Sequence, residues 1–296
     1  MTVLAVKRTA DAATFDAEHT ASVACQALLL EVSTYPKPGL VSHVDAGSHA
    51  DMSIDTFQRS AMAIRPFLRD LAAAGANRSS MQGLRVIGIA AEAAMMAATG
   101  GINTHRGAIF GLGLLCAAAG ARSAMDGQTG HPLGGIVARL WGQAISAGPT
   151  SPDSHGGAAL RTHGAGGARA EAAAGFPSLY RTGLPALRDG RRLRPDDPEA
   201  ARVQCLFALM ATTRDTNLLH RGGLEGADFA QRSARTFLEE GGVGQPDWRV
   251  RARALHRHFV DRHLSPGGCA DLMAMTLFLE QMDPHHADRQ ARRDAP

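Results

Sequence analysis

Apolar side chains recur every three or four residues over most of the chain, which is the period of an amphipathic α-helix. Ala21, Cys25, Leu28 and Val32 lie on one such face. No stretch shows the strict alternation that is typical of a half-buried strand. The pattern therefore predicts an all-α protein. Helices are expected at about residues 21–34, 80–99, 133–147, 199–213, 225–239, 247–263 and 269–282. Three further helices are expected: one that begins near residue 53, one that ends near residue 119 and one that begins near residue 168.

Several residues mark the expected ends of these helices. Ser53 is a suitable N-cap for the second helix, and Pro66 inside that helix is expected to kink it. Gly100 is expected to end the third helix. Asn103 or Thr104 is expected to cap the fourth.

The order of these segments predicts one compact helical domain over residues 1–296, with an active site in a central cleft lined by helix-terminal loops. The ends, at about 1–15 and 284–296, are expected to fray. Residues 148–167 are rich in Gly, Ser, Pro and His and predict a mobile loop. Residues 188–198 are expected to form a second polar loop.

Composition excludes several classes of protein. Hydrophobic residues make up 45% and aromatic residues 5% of the 296 residues, and the net charge is +3. The basic residues are scattered and have no accompanying aromatic stripe, so we expect no nucleic-acid partner. No apolar run reaches the roughly 18 residues of a membrane helix, and no signal-peptide core is visible. The four cysteines form no CxxC pair, so buried free thiols in a cytoplasmic protein are expected.

The first polar segment, residues 35–52, follows the first helix and carries many ligand-type side chains. Asp and His side chains can hold a metal–phosphate complex, and Lys can pair with phosphate. A solvated turn is the structural alternative, but a plain turn rarely needs so many such groups. The candidates are Lys37, His43, Asp45, His49 and Asp51.

The second polar segment, GINTHRG at residues 101–107, lies at a helix N-terminus, where free N–H groups attract anions. Arg106 would add a bidentate phosphate donor. Capping explains Asn103 or Thr104, but it leaves the pair His105 and Arg106 unexplained. We therefore favour a binding role for this segment.

Glycines inside the fourth helix need a reason, because each costs about 1 kcal/mol relative to alanine. Gly107, Gly111 and Gly113 occupy such positions. Close approach of a neighbouring helix or a ligand is the expected reason.

The third polar segment, residues 162–171, contains His163 and Arg169 in a glycine-rich stretch. Such a backbone can approach a pyrophosphate closely. It lacks the ending of a Walker A motif and has no preceding strand, so it is not a Rossmann fingerprint. A flexible loop explains it equally well.

The fourth polar segment, residues 214–223, offers oxygen ligands for Mg²⁺ in Asp215 and Asn217. Asp215 is the strongest single metal candidate, and His220 and Arg221 follow it. The structural alternative is a helix C-terminus that stops at Gly222. The two interpretations are compatible.

The fifth polar segment, SPGGCAD at residues 265–271, turns sharply into a helix that has Asp271 in its first turn. An acid there also suits the helix dipole, so a structural and a functional role are equally supported. Glu31 and Glu92 lie in apolar or small-residue helices and would be consistent with one central cavity between helices.

These segments together resemble the triphosphoribosyl-dephospho-CoA synthase family, which serves citrate lyase and malonate decarboxylase. The resemblance covers most of the chain in order and is specific as a set. It departs from the family pattern at Ala170, where a glycine is expected, and at Arg106, where many relatives carry lysine. It is carried by PKPGLVSH, GINTHRGAIFGLGLLCAAAG, THG, GARAEAAAGFPS, DTNLLHRGG and SPGGCADL.

The resemblance implies an all-helical enzyme that converts ATP and 3′-dephospho-CoA into 2′-(5″-triphosphoribosyl)-3′-dephospho-CoA and adenine. A separate transferase would then move the product onto a carrier protein. The malonate decarboxylase branch is favoured by the Arg- and Ala-rich composition. A homodimer is the default expectation for such an enzyme.

The reaction assigns roles to the candidate residues as a hypothesis. A base must accept the hydroxyl proton, and Mg²⁺ with Arg or Lys must hold the triphosphate. Replacement of Asp215 by Asn is expected to abolish turnover and leave the fold intact. The expected catalytic residues are Asp45, Asp51, His105, Asp215 and His220. The expected metal ligands are Glu31, Asp51 and Asp215. The expected substrate-binding residues are Lys37, His43, Asn103, Thr104, Arg106, His163, Arg169, Asn217 and Arg221.

Two other classes remain as alternatives. A helical metal-dependent hydrolase of nucleotides or phosphoesters fits the many His and Asp residues, although no His-Asp dipeptide occurs. A non-catalytic CoA or nucleotide carrier would bind ATP without consuming it. The reaction product distinguishes these classes of protein from the transferase, because only triphosphoribosyl transfer releases free adenine.

Overall fold

The protein is described by a computed structural model over residues 15–125, 130–148 and 166–283. These residues form helices joined by turns and contain no strand, which confirms the predicted all-α class. The α-helices are α1 (Ala17–Ser33), α2 (Ile54–Ala76), α3 (Met81–Thr99), α4 (Arg106–Ser123), α5 (Leu133–Ala147), α6 (Gly167–Ala173), α7 (Leu184–Leu193), α8 (Pro198–Thr212), α9 (Thr216–Glu239), α10 (Trp248–Asp261) and α11 (Gly267–Met282). A π-helical turn (Leu179–Gly183) precedes α7, and a 3₁₀ turn (Gly242–Gly244) precedes α10.

The predicted N-cap of α2 and the predicted stop of α3 are confirmed. Ser53 forms a capping box with Thr56 at the start of α2. The Ser80 side chain accepts the N–H of Gly83 at the start of α3, and Gly100 ends that helix in a left-handed conformation. The α2 helix continues through Pro66.

The prediction of a polar loop at residues 188–198 is wrong over its first half, because α7 extends to Leu193. Leu184 and Leu187 are buried on one side of this helix. The arginines on its other side gave the segment its polar composition and masked the short amphipathic pattern.

The helix predicted at residues 225–239 begins earlier, at Thr216, because Asp215 caps it. The backbone at Gly223 is not helical and has a φ of 60°, so the helix is kinked there. The 214–223 segment therefore begins a helix at Thr216, and that helix is interrupted directly after Gly222, where the sequence predicts a stop.

The core is built around α4, which is buried from Ala108 to Ala121 except at Phe110. It packs against α1, α2, α3, α5 and α11. All four cysteines are buried and unpaired, as expected. None of the helices in the described part of the chain is long and apolar enough to cross a membrane.

Glycines allow α4 to approach its neighbours closely, as the sequence predicts. A Cβ at Gly111 would overlap Met275, and one at Gly113 would overlap Leu71. At Gly120 the neighbour is the backbone carbonyl of Ala72 in α2, which has no rotamer freedom to move away. The contact between α2 and α4 therefore depends on the absence of a side chain at this position.

The expected frayed ends and most of the expected mobile loop lie outside the described residues. Residues 1–14, 126–129, 149–165 and 284–296 are not described. The expectations for 1–15, 148–167 and 284–296 therefore stay predictions.

We predict that Gly120→Ala lowers the free energy of unfolding by about 1–3 kcal/mol, the usual cost of overpacking. The matched control is Gly88→Ala in α3, where a Cβ would meet nothing within 4 Å. That change should be neutral or stabilising by up to about 1 kcal/mol, because alanine favours a helix. Urea unfolding of both variants measures the difference, and equal stabilities would contradict the packing argument.

Candidate active site

Asp215 joins the starts of two helices. Its Oδ1 accepts the backbone N–H groups of Asn217 (2.7 Å) and Leu218 (3.3 Å) in α9. Its Oδ2 accepts the N–H of Cys269 in the first turn of α11 (2.8 Å). The Cys269 thiol also bonds to the carboxylate. Asp215 is 3% exposed, so this carboxylate is a buried cap shared by α9 and α11.

Asp271 extends this connection to α4. The residue lies in α11, and the backbone N–H of Ala108 near the start of α4 is close enough to its carboxylate to lower the pKa of Asp271. Gly107 makes the approach possible, because a Cβ there would overlap the Asp271 carboxylate. The N-terminal ends of α4, α9 and α11 are therefore linked through two aspartates.

The carboxylates of this site repel one another. Burial raises the pKa of Asp271 well above 3.8, and the negative charges of Glu31 and Asp215 raise it further. Burial also raises the pKa of Asp215, while its backbone hydrogen bonds act in the opposite direction. The site thus concentrates negative charge in a poorly hydrated place, which suits a cationic ligand.

Lys37 supplies the positive charge within this cluster. Its Nζ lies 2.5 Å from Glu31 Oε1 and donates to the Glu31 backbone carbonyl at 2.7 Å. Both side chains are almost fully buried, and burial lowers the pKa of Lys37. Lys37 is therefore already paired, and a phosphate would compete with Glu31 for its ammonium group.

His105 borders the same cluster from the start of α4. Its Nδ1 lies 2.6 Å from the Ser60 hydroxyl of α2, and its Nε2 is buried and has no hydrogen-bond partner. Phe57 meets the ring edge-on, with 5.0 Å between ring centroids. Burial lowers the pKa of His105 to about 3, and the positive charge of Lys37 adds to this. The imidazole is therefore neutral over the physiological pH range.

The other polar residues before α4 support this geometry. The N-cap position is held by His105, whose side chain makes no cap. Asn103 Oδ1 accepts the Arg106 N–H at 3.2 Å, and Thr104 donates to Ser60 at 2.7 Å. Arg106 forms an exposed ion pair with Glu92 at 3.0 Å.

A second cluster lies beside the cavity formed by the 35–52 segment and α10. His256 Nε2 is 3.1 Å from the Asp45 carboxylate, and its Nδ1 is 2.7 Å from the Lys37 backbone carbonyl. His43 bonds to the Ser33 carbonyl at 2.9 Å. The cavity has a volume of about 370 Å³ and is lined by Tyr35, Asp45, Val250, Arg253, His256 and Arg257.

A third cluster contains Arg221, His49 and Asp51. The Arg221 guanidinium lies 3.1 Å from His49 Nδ1, and Ser265 lies 2.9 Å from His49 Nε2. Burial lowers the pKa of His49 to about 4, the charge of Arg221 lowers it too, and Asp51 opposes both. His220 is exposed on α9. The Asn217 side chain is close to Gly267 at the start of α11.

Arg169 lies away from these clusters. It donates to the carbonyls of Ile145 (2.5 Å) and Gly148 (2.7 Å) and so caps the C-terminal end of α5. A phosphate-binding role for Arg169 stays a prediction. His163 lies outside the described residues.

The predicted metal ligands are not gathered in one place. Glu31 and Asp215 are near Asp271, whereas Asp51 is with His49 and Arg221. Across residues 15–125, 130–148 and 166–283, no three His, Cys, Asp or Glu side chains are arranged to hold one metal ion.

Sequence reasoning did not single out three of these residues as site members. Asp271 was left undecided, because a first-turn acid has a structural explanation. Ser60 lies within α2, and His256 lies within α10, so neither interrupts a helical pattern. Only the fold brings them to the ends of other helices.

The fold and the site define an all-helical enzyme whose buried carboxylates, lysine and histidine meet at three helix starts. The family model described as ATP:dephospho-CoA triphosphoribosyl transferase (CitG) matches residues 17–290. The chain therefore belongs to this transferase family.

Curated relatives agree with this family. A protein of Stutzerimonas stutzeri (strain A1501) is 40% identical over 276 residues, which cover 90% of this chain and 93% of the relative. One of Azotobacter vinelandii (strain DJ / ATCC BAA-1303) is 39% identical over 275 residues, covering 90% and 92%. Both are named "Probable 2-(5''-triphosphoribosyl)-3'-dephosphocoenzyme-A synthase". No solved structure matches the chain.

We predict that Asp215→Asn destabilises the protein, which revises the expectation of an intact fold. An asparagine keeps one acceptor oxygen and would turn an NH₂ group toward backbone N–H donors. Each donor left unsatisfied in the interior costs about 1–3 kcal/mol. Thermal unfolding measures the loss, with exposed Asp228→Asn on the same helix as the control. Equal melting temperatures for the two variants would contradict the shared cap.

Asp271→Asn should have the opposite effect on stability. Because the folded state holds this proton above pH 3.8, wild-type stability falls as the pH rises through the raised pKa. Asparagine removes that loss and still accepts the Ala108 N–H. We expect the melting temperature at pH 8 to rise by about 2–4 °C, the shift for ~1 kcal/mol in a domain of this size. A gain that does not grow between pH 5 and pH 8 would contradict the repulsion among the carboxylates.

Proposed function

We propose that this enzyme transfers the 5-triphosphoribosyl group of ATP to the 2′-hydroxyl of 3′-dephospho-CoA and releases adenine. The family match over residues 17–290 supports the reaction class. The observation that carries the site assignment is the meeting of Glu31, Lys37, His105 and Asp271 at the starts of α4 and α11.

In this reaction the bond between C1′ of the ATP ribose and N9 of adenine breaks, and its electron pair leaves with adenine. A new bond forms between the same carbon and the 2′-oxygen of dephospho-CoA. The transition state should have oxocarbenium character, by analogy with glycosyl transfer. A protein group must accept the hydroxyl proton, and the departing adenine takes up a proton from solvent, so that neutral adenine is released.

Asp271 is the group that we assign to proton acceptance. Its raised pKa makes it a stronger base than an ordinary carboxylate, and the backbone N–H of Ala108 offsets this increase only in part. Asp215, in contrast, already accepts from three backbone N–H groups and the Cys269 thiol. We therefore assign Asp215 to positioning α9 and α11.

Glu31 and the neighbouring carboxylates fit a divalent cation, because their mutual repulsion would be relieved by one. Mg²⁺ commonly binds one or two carboxylates and takes its remaining ligands from phosphates and water. We propose that Glu31 holds Mg²⁺ that arrives with ATP, and that the ion neutralises triphosphate charge when bound. Lys37 would then exchange its pairing with Glu31 for a phosphate oxygen.

The residues of the two outer clusters are proposed to bind the ends of the substrates. Arg221 of the third cluster and Arg106 at the start of α4 are exposed and are assigned to the phosphates, with Asn217 and the more distant Arg169 as further candidates. Asp45, Asp51, His43 and His220 stay predicted members of the site. We also propose that the product passes to a carrier-protein transferase of the malonate decarboxylase branch, and that the enzyme is a homodimer.

The first test measures adenine release. Protein, ATP, Mg²⁺ and 3′-dephospho-CoA are incubated and analysed by mass spectrometry, with full CoA and no acceptor as controls. We expect free adenine and an acceptor heavier by one triphosphoribosyl unit. Asp271→Asn should slow release by about 10²–10⁴-fold, the usual contribution of a general base.

Phosphate or ADP without adenine would contradict the transferase proposal and favour the metal-dependent hydrolase. Binding of ATP without consumption would favour a carrier. Unchanged adenine release by Asp271→Asn would exclude Asp271 as the base and leave the reaction class in place.

A further inference from the structure

His105 has a buried nitrogen that the fold itself does not use. Its Nε2 has no hydrogen-bond partner, although the residue is 3% exposed. Leaving a buried polar group unpaired costs about 1–3 kcal/mol. The Lys37 ammonium is close enough to lower the pKa of the His105 ring, so a ligand that binds at Lys37 is a suitable partner for this nitrogen.

A chain of hydroxyl groups determines which ring nitrogen carries the hydrogen. Thr104 Oγ1 donates to Ser60 Oγ at 2.7 Å. With Thr104 as its donor, the Ser60 hydroxyl has its own hydrogen available for His105 Nδ1, which lies 2.6 Å away, and we take Ser60 as the donor of this bond. An Nδ1 that accepts leaves the hydrogen of the neutral ring on Nε2. His105 therefore presents an N–H donor to the site.

The ring also stays uncharged in this position. The ring is buried against Phe57, and the nearby Lys37 ammonium disfavours a second proton on the imidazole. A neutral donor adds little to the binding of a triphosphate, for which the site has lysine and arginine. It is well suited to an uncharged heteroaromatic acceptor.

We propose that His105 donates its Nε2–H to a ring nitrogen of adenine, N3 or N7, and that Phe57, Ser60 and His105 form the nucleobase subsite. The proposal rests on the proposed function, because adenine is the leaving group there. As the C1′–N9 bond breaks, its electron pair delocalises over the purine, and N3 and N7 become stronger acceptors. The hydrogen bond strengthens at that point, and the proton remains on His105.

The test compares two variants that differ in the donor. His105→Gln keeps an N–H group near the position of Nε2, and His105→Phe keeps the ring shape without it. Their affinities for ATP, 3-deaza-ATP and 7-deaza-ATP are measured by calorimetry without the acceptor substrate. With ATP, we expect the Phe variant to bind about tenfold more weakly than wild type and the Gln variant to fall between them.

The deaza analogues identify the acceptor atom. With the analogue that lacks the bonded nitrogen, wild type and His105→Phe should bind within about threefold of each other. If the Phe variant loses the same factor with ATP and with both analogues, His105 does not contact N3 or N7 and the proposal is overturned. Because this readout is binding, it stands apart from the adenine-release test, which decides the transferase reaction itself.

The tautomer is tested on the wild-type protein, so the proposal does not depend on the folding of a variant. Long-range ¹H–¹⁵N spectra of the histidine rings should show one ring protonated at Nε2 only, with unchanged shifts from pH 5 to pH 8.5. Its signals should be missing in His105→Phe, and Ser60→Ala should alter its tautomer ratio. A His105 ring protonated at Nδ1, or titrating in this range, would overturn the proposal.

Discussion

The carboxylate of Asp215 is the contact on which the arrangement of the site depends. It satisfies donors at the starts of α9 and α11 at once, so the two helices cannot shift separately without exposing buried N–H groups. The position of α11 in turn places Asp271 against Gly107 and the start of α4. Residues far apart in the chain thereby become neighbours, because the Asp215 carboxylate caps the N-terminal ends of two helices.

The second constraint is electrostatic, and it opposes folding. Three carboxylates bring negative charge close together: Glu31, Asp215 and Asp271. Lys37 forms an ion pair with Glu31 within this group. A stable helical core does not require this arrangement, and hydrophobic residues of similar volume are often as stabilising as a buried ion pair. In the proposed function these groups bind a polyanionic substrate together with a cation.

Much of the fold follows from local signals, because helical periodicity, Ser53, Ser80 and Gly100 act within a few residues of the chain. The segment at 188–193 was missed because its arginines concealed a short buried face. The site was only partly predictable. Lys37, His105 and Asp215 interrupt apolar patterns and could be recognised, whereas Asp271 and His256 lie in regular helices. The roles of Asp271 and His256 depend on which helix end or loop packs against each of them, and a single sequence does not give the distances between helices.

The hydrogen bond from His256 to the backbone carbonyl of Lys37 has a consequence for engineering. It couples the loop that carries a fully buried ammonium group to Asp45, a side chain at the solvent boundary. The same outer rim carries Arg253 and Arg257, whose electrostatic interactions are screened by salt. Libraries designed to alter turnover should therefore include the solvent-facing side of α10. Substitutions there can shift the backbone of the Lys37 loop slightly without replacing any buried side chain.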